Sequence, residues 1–127
     1  DVQGGAYGQV AVTHAQLVAP IPAGMDPSLA SVVPSNTTTA LISLERVAHL
    51  RPGEHVLVHA AAGGLGSQFG QIARTLGAGR VVGVVGGEEK KRAALDLGYD
   101  EVWLRADLEN AEPGQFDVIA DPVAGPG

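Results

Sequence analysis

The stretch from His55 to Leu76 constrains this chain more than any other. His55-Val56-Leu57-Val58-His59 is an apolar run of strand length, and residues 60–64 form a turn. Leu65, Phe69, Ile72, Ala73 and Leu76 then recur at the spacing of an amphipathic helix, which Gly77 closes. Arg80-Val81-Val82-Gly83-Val84-Val85 follows as a continuous apolar strand, the kind covered on both faces in a parallel sheet. The pattern repeats with a helix over 88–97 closed by Gly98, a strand over 101–104 and a strand over 116–120. Strand and helix in alternation predict a doubly wound parallel α/β sheet. Residues 105–115 are too few for a helix and two loops, so the last crossover is abbreviated.

Upstream the pattern is looser. Tyr7, Val10, Val12, Leu17 and Val18 alternate weakly over 6–19 and predict one or two short strands. A loop punctuated by Pro20, Pro22 and Pro27 follows. Asp26-Pro27-Ser28 reads as a helix start, carried by Leu29, Val32 and Val33 and interrupted at Pro34. A second helix is predicted over about 37–50, with Ala40, Leu41, Leu44, Val47 and Ala48 as its stripe and Arg51-Pro52-Gly53 as its end.

A length of 127 residues suits one compact domain. Aromatic residues are only 4 %, so the core must be built from Val, Leu, Ile and Ala. A net charge of −6 argues against a nucleic-acid partner, which needs a basic face. The longest basic run, Lys90-Lys91-Arg92, directly follows Glu88-Glu89. With no cysteine, disulfides and thiolate metal sites are excluded within the chain. No apolar run approaches the ~20 residues that span a bilayer, and no signal peptide is visible. A cytoplasmic protein with no membrane partner is the expectation. The chain opens at Asp1 and stops at Gly125-Pro126-Gly127, which reads as a segment of a longer protein.

The turn after the first strand reads Ala-x-Gly-x-x-Gly over 61–66. Gly63 removes a side chain where backbone would meet a pyrophosphate, and Gly66 lets the helix approach the strand. The helix then offers unpaired N–H groups and a positive dipole end to an anion. A tight turn with no ligand is the alternative.

His59-Ala60-Ala61-Ala62-Gly63-Gly64-Leu65-Gly66 resembles the signature of the medium-chain dehydrogenase/reductase superfamily, nearest its zinc-independent quinone oxidoreductase branch. Leu50-Arg51-Pro52-Gly53-Glu54-His55-Val56-Leu57-Val58 resembles the lead-in to that motif. Gly4-Gly5-Ala6-Tyr7 with Val10 resembles the last stretch of the family's catalytic domain, and Phe116-Asp117-Val118-Ile119-Ala120-Asp121 its fourth nucleotide-domain strand. The resemblance covers nearly the whole chain. It implies that residues 1–34 are the end of a GroES-like β domain with its linker, and 35–127 part of a Rossmann dinucleotide-binding domain with strand order 3-2-1-4. Family members run to roughly 300 residues, so most of the first domain and the last sheet strands are expected to lie outside this segment. A small-molecule substrate and a homodimeric full-length protein are implied as well.

Domains that prefer NAD place Asp or Glu near the tip of the second strand, on the ribose 2′-hydroxyl. Here the tip reads Val84-Val85-Gly86-Gly87, and Lys90 follows. NADPH-using relatives carry Gly-Ser-x-x-Lys, and Gly87 stands where their Ser would be. Gly86 and Gly87 leave room for a 2′-phosphate, Lys90 can meet it, and Arg105 at the tip of the third strand is a second cation; NADPH is the expected cofactor. Glu88 and Glu89 oppose that reading, and solvated surface cations are the alternative for Lys90 and Arg105.

Residues 34–40 match the relatives' Pro-x-Asn-x-x-Thr-Ala, which implies that Thr39 lies near the nicotinamide. Asn36 either joins it or caps the helix, as Thr37 and Thr38 also can. Ala62, Gly63, Gly64, Leu65 and Gly66 of the turn, and Val123 after the fourth strand, complete the expected cofactor contacts. Where zinc-dependent relatives carry Cys four residues before the Thr, this chain has Ser35, a poor zinc ligand. His14, His49, His55 and His59 show no ligand spacing, and His59 reads as structural. No general acid or base is assigned. The sequence predicts an NADPH-dependent oxidoreductase acting on a quinone or an activated enone, with this segment inactive alone. The alternatives are an enoyl-reductase domain of a polyketide or fatty-acid synthase, and a non-catalytic nucleotide-binding domain.

Overall fold

The computed structural model describes residues 7–123. Gly4, Gly5 and Ala6 of the resemblance, and the terminal Gly125-Pro126-Gly127, lie outside the described residues. The described residues up to Ser31 form one compact unit and those from Val32 onward another.

In the first unit the weak alternation over 7–19 does not become strand. The chain there is irregular apart from one 3-10 turn, Ala15–Leu17. A strand needs a partner for its N–H and C=O groups, and no other strand lies among the unit's described residues. The predicted helix start is found. In α1 (Pro27–Ala30) the Asp26 carboxylate accepts from the Ser28 amide at 2.7 Å and the Leu29 amide at 3.3 Å. Those bonds hold the Asp26 carboxyl below its usual range.

The second unit opens on a helical run in three parts: a π-helical turn, Val33–Thr37, then α2 (Thr38–Leu41), then a second π-helical turn, Ile42–Val47. Pro34 therefore does not interrupt a helix. It sits in the first turn of one, where its missing N–H costs nothing. The run also ends earlier than its stripe suggests, because His49 turns left-handed at φ +52, ahead of Arg51-Pro52-Gly53.

β1 (His55–Val58), α3 (Gly66–Thr75), β2 (Arg80–Val85), α4 (Lys91–Asp96), β3 (Glu101–Leu104) and β4 (Val118–Ala120) follow. The strands form one parallel sheet in the order β3-β2-β1-β4. The crossover from β3 to β4 is the single 3-10 turn Arg105–Asn110, as its length required. β4 is shorter than predicted. Phe116 packs against Trp103 instead, 5.6 Å between ring centres, and the Asp117 carboxylate accepts from the His55 amide at 2.8 Å, closing the foot of the ladder.

Alternation along the strands sorts the core. Val56, Val58, Val81 and Val85 face α3, α4 and the helical run, joining Ala40, Leu44, Phe69, Ala73 and Ala94. Leu57, Val82 and Val84 face the other way, against Trp103, Leu108 and Phe116. Sheets buried on both faces need unbroken apolar strands, which is what the runs at 55–58 and 80–85 supply.

Candidate functional site

From β1 the chain winds outward through β2 to β3, then returns to lay β4 on the far side of β1. The direction of winding reverses there, and a crevice opens beyond the carboxyl ends of β1 and β4. Ligands of open α/β sheets bind at such a point.

The glycine turn emerges from β1 into this crevice. His59 N–H donates to Ala120 O at 2.9 Å and Ala61 N–H to Val84 O at 3.0 Å, so the turn is tied to both neighbouring strands. Ala60 adopts φ +50, and Gly63 N–H closes back on Ala60 O at 2.8 Å. A Cβ on Gly66 would collide with that same Ala60 carbonyl, so only glycine lets α3 start so close to β1. No side chain among the described residues caps α3. Among the described residues the N–H groups of Gly64, Leu65 and Gly66 meet no hydrogen-bond acceptor. A consecutive set of free donors at the start of a ten-residue helix is a cradle for an anion.

The helical run closes one side of this cradle. The Asn36 amide nitrogen lies 3.2 Å from where a Cβ on Gly64 would stand. None of Asn36, Thr37 and Thr38 caps the run. Thr37 instead donates to Gln68 Oε1 at 2.8 Å, fastening the run to α3, and Thr38 turns to Val33 O at 3.4 Å. Thr39 is exposed, and its hydroxyl makes no hydrogen bond among the described residues. A cavity of about 330 Å³ lies beside the turn, between Leu44, Leu65, Phe69, Ile119 and Pro122. Val123 follows β4, its N–H held by Asp121 Oδ1 at 3.0 Å.

Charge bookkeeping singles out the tips of β2 and β3. Of the eight Lys and Arg, five are ion-paired: Arg46 with Glu45, Arg74 with Asp100, Arg80 with Glu101, Lys91 with Glu88, and Arg92 with Asp96. Arg51, Lys90 and Arg105 have no acidic partner among the described residues. Arg51 precedes β1 at the opposite end of the sheet. Lys90 and Arg105 both lie at the carboxyl end, where the pairing of Val85 with Leu104 sets Gly86 beside Arg105. A Cβ on Gly86 would meet open space.

No protein-family model matches the chain. Its backbone is similar to that of the quinone oxidoreductase from Thermus thermophilus, solved also as its complex with NADPH, with TM-score 0.67 and 41 % identity over 72 % of this chain and 30 % of that one. The polyketide synthase GfsB of Streptomyces halstedii is 40 % identical over 95 % of this chain and 2 % of its own length. Prostaglandin reductase 1 of Rattus norvegicus is 39 % identical over 68 % of this chain and 28 % of its own. The chain belongs to the medium-chain dehydrogenase/reductase superfamily.

The chain thus spans less than a third of any of these three proteins. The sheet order 3-2-1-4 of this superfamily member is the one its resemblance implied. Among the described residues no three His, Cys, Asp or Glu side chains gather as a metal site would require, and no helix is long and apolar enough to cross a membrane. Sequence reasoning missed Tyr99. It is buried, and its hydroxyl bonds the Gly66 carbonyl at the start of α3. Its signal was present but unread: Gly70 and Gly83, in helix and strand interiors where glycine is costly, are the positions its ring covers.

Proposed function

We propose that this chain is the NADPH-binding part of an oxidoreductase that passes hydride to a quinone or an activated enone. One observation carries the reading: two cations unpaired among the described residues, Lys90 and Arg105, flank Gly86-Gly87 in a sheet whose glycine turn presents N–H groups that meet no acceptor among those residues at the switch point. When bound, NADPH supplies the hydride. The chain's own residues bind and orient it. Gly64, Leu65 and Gly66 offer their N–H groups to the pyrophosphate, with Ala62 and Gly63 shaping the approach. Lys90 and Arg105, with the space over Gly86 and Gly87, receive the 2′-phosphate. Asn36, Thr39 and Val123 border the nicotinamide end. The NADPH complex of the Thermus relative supports this choice of nucleotide. Ser35, at the position of the zinc-dependent relatives' Cys, supports a reaction without zinc. The reading extends to a small-molecule substrate and a homodimer in the cytoplasm.

A second reading, an enoyl-reductase domain of a polyketide synthase, is favoured by the reach of one match. Likeness to GfsB extends over 95 % of this chain, against 72 % for the quinone oxidoreductase. Calorimetric titration of the chain with NADPH and NADH tests the binding reading, and tighter NADPH binding is expected. Turnover by the full-length protein with quinones, enones and enoyl thioesters separates the two chemistries. NADPH binding without turnover of any acceptor would instead favour a non-catalytic nucleotide-binding role.

A further inference from the structure

The dinucleotide reading leaves one charge at the tip of β2 unexplained. Gly87 is extended, at φ −159 and ψ 156, and the 3-10 turn Glu88–Lys90 then folds back over it. The Glu89 carboxylate comes to rest on Gly87, where both of its oxygens occupy the space that a Cβ would need. Its neighbour Glu88 is neutralised by Lys91 at 2.9 Å. The Glu89 carboxylate has no hydrogen-bond or ion-pair partner among the described residues. An uncompensated carboxylate therefore stands over the glycine pair that would receive a 2′-phosphate, next in sequence to Lys90. The strand tip itself carries no acid; the fold of the turn delivers one to it.

We propose that Glu89 sets the balance between the two dinucleotides, an inference that rests on the dinucleotide reading above. A carboxylate at this place accepts hydrogen bonds from a ribose 2′-hydroxyl. Toward a 2′-phosphate, itself close to doubly charged at neutral pH, the same carboxylate is repulsive and has to swing aside before Lys90 and Arg105 engage. The wild-type chain accordingly accepts both nucleotides with a modest preference for the phosphorylated one, and removing the charge sharpens that preference.

The test is calorimetric titration of the full chain with adenosine 2′,5′-bisphosphate and with 5′-AMP, in wild type, Glu89→Gln, Glu89→Ala and Lys90→Ala. Glu89 is exposed, and thermal melts confirm that the variants fold. In both Glu89 variants the bisphosphate should bind about tenfold more tightly, equivalent to about 1.4 kcal/mol, and 5′-AMP no more tightly than in wild type. An unchanged ratio of the two affinities overturns the proposal, and if Lys90→Ala still weakens the bisphosphate the dinucleotide reading survives alone. A gain in Glu89→Ala but not in the isosteric Glu89→Gln also overturns it, since lost bulk rather than lost charge would be responsible. Failure of wild type to bind either nucleotide overturns the dinucleotide reading and this inference with it.

Discussion

The Tyr99 hydroxyl donates to the Gly66 carbonyl at 2.5 Å, joining the loop before β3 to the first residue of α3. The ring lies across Gly70 and Gly83, where added Cβ atoms would come within 2.8 Å and 2.9 Å of it. One aromatic side chain therefore sets the height of α3 above β2, and with it the position of the glycine turn.

Tyr99→Phe should cost about 1 kcal/mol, the net value of one buried hydrogen bond, while Tyr99→Ala should cost about 3–5 kcal/mol through the cavity it leaves. Urea unfolding at pH 7 checks both. Burial pushes the Tyr99 hydroxyl well above its ordinary value of 10.0, partly offset by the Gly70 backbone. The folded state thus holds its proton longer than the unfolded state does. Its stabilising contribution is complete below pH 10 and declines above it, as the unfolded chain ionises. Tyr99→Phe should lose that part of the alkaline decline. An identical alkaline profile in the two proteins would contradict the assignment.

Gly66→Ala should destabilise by about 3 kcal/mol, because the new methyl meets the fixed Ala60 carbonyl rather than a flexible side chain. Gly86→Ala, into open space at the same end of the sheet, should change stability by less than about 0.5 kcal/mol. Denaturant midpoints of the two variants, compared side by side, distinguish close packing from a general need for glycine.

Lys90→Ala should weaken NADPH by about 1.5–3 kcal/mol, as for a charged hydrogen bond, and leave NADH nearly unchanged. The difference should shrink as salt is raised, because the site is exposed. Titrations at two ionic strengths measure both effects, and equal losses for the two nucleotides would contradict the role given to Lys90.

Arg80 grips Glu101 through two hydrogen bonds of 2.9 Å and 3.0 Å, which hold the Glu101 carboxyl below its ordinary value of 4.5. A depressed folded value contributes stability above pH 4.5 that is lost as pH falls through the folded value. The pair is half-exposed, so Glu101→Gln should cost no more than about 1 kcal/mol at neutral pH. The variant should then converge on wild type in acid. Thermal melts between pH 7 and pH 3 follow this, and a gap that widens in acid would count against it.

Much of this architecture follows from local pattern. Apolar runs at 55–58 and 80–85, glycines after each helix, and the short 105–115 link dictate parallel strands, their helices and an abbreviated crossover, because period and turn chemistry act within a few residues. The glycine turn was legible for the same reason. What local pattern could not settle depends on partners distant in the chain. The alternation over 7–19 failed to become strand because no partner strand lies among the described residues of that unit. The stripe after Thr37 ended early because His49 could turn left-handed. Asn36, Thr37 and Thr38 looked like caps until Pro34 let the helix begin ahead of them. Tyr99 went unread in the sequence because Gly66, Gly70 and Gly83, the glycines it meets, come together only in the fold. At the site, sequence alone identified Lys90, Arg105 and the glycines as the candidates. Only the tertiary structure decided which charges pair with each other and which, like Lys90, Arg105 and Glu89, have no ion-pair partner among the described residues, because ion pairing is set by distance in space rather than along the chain.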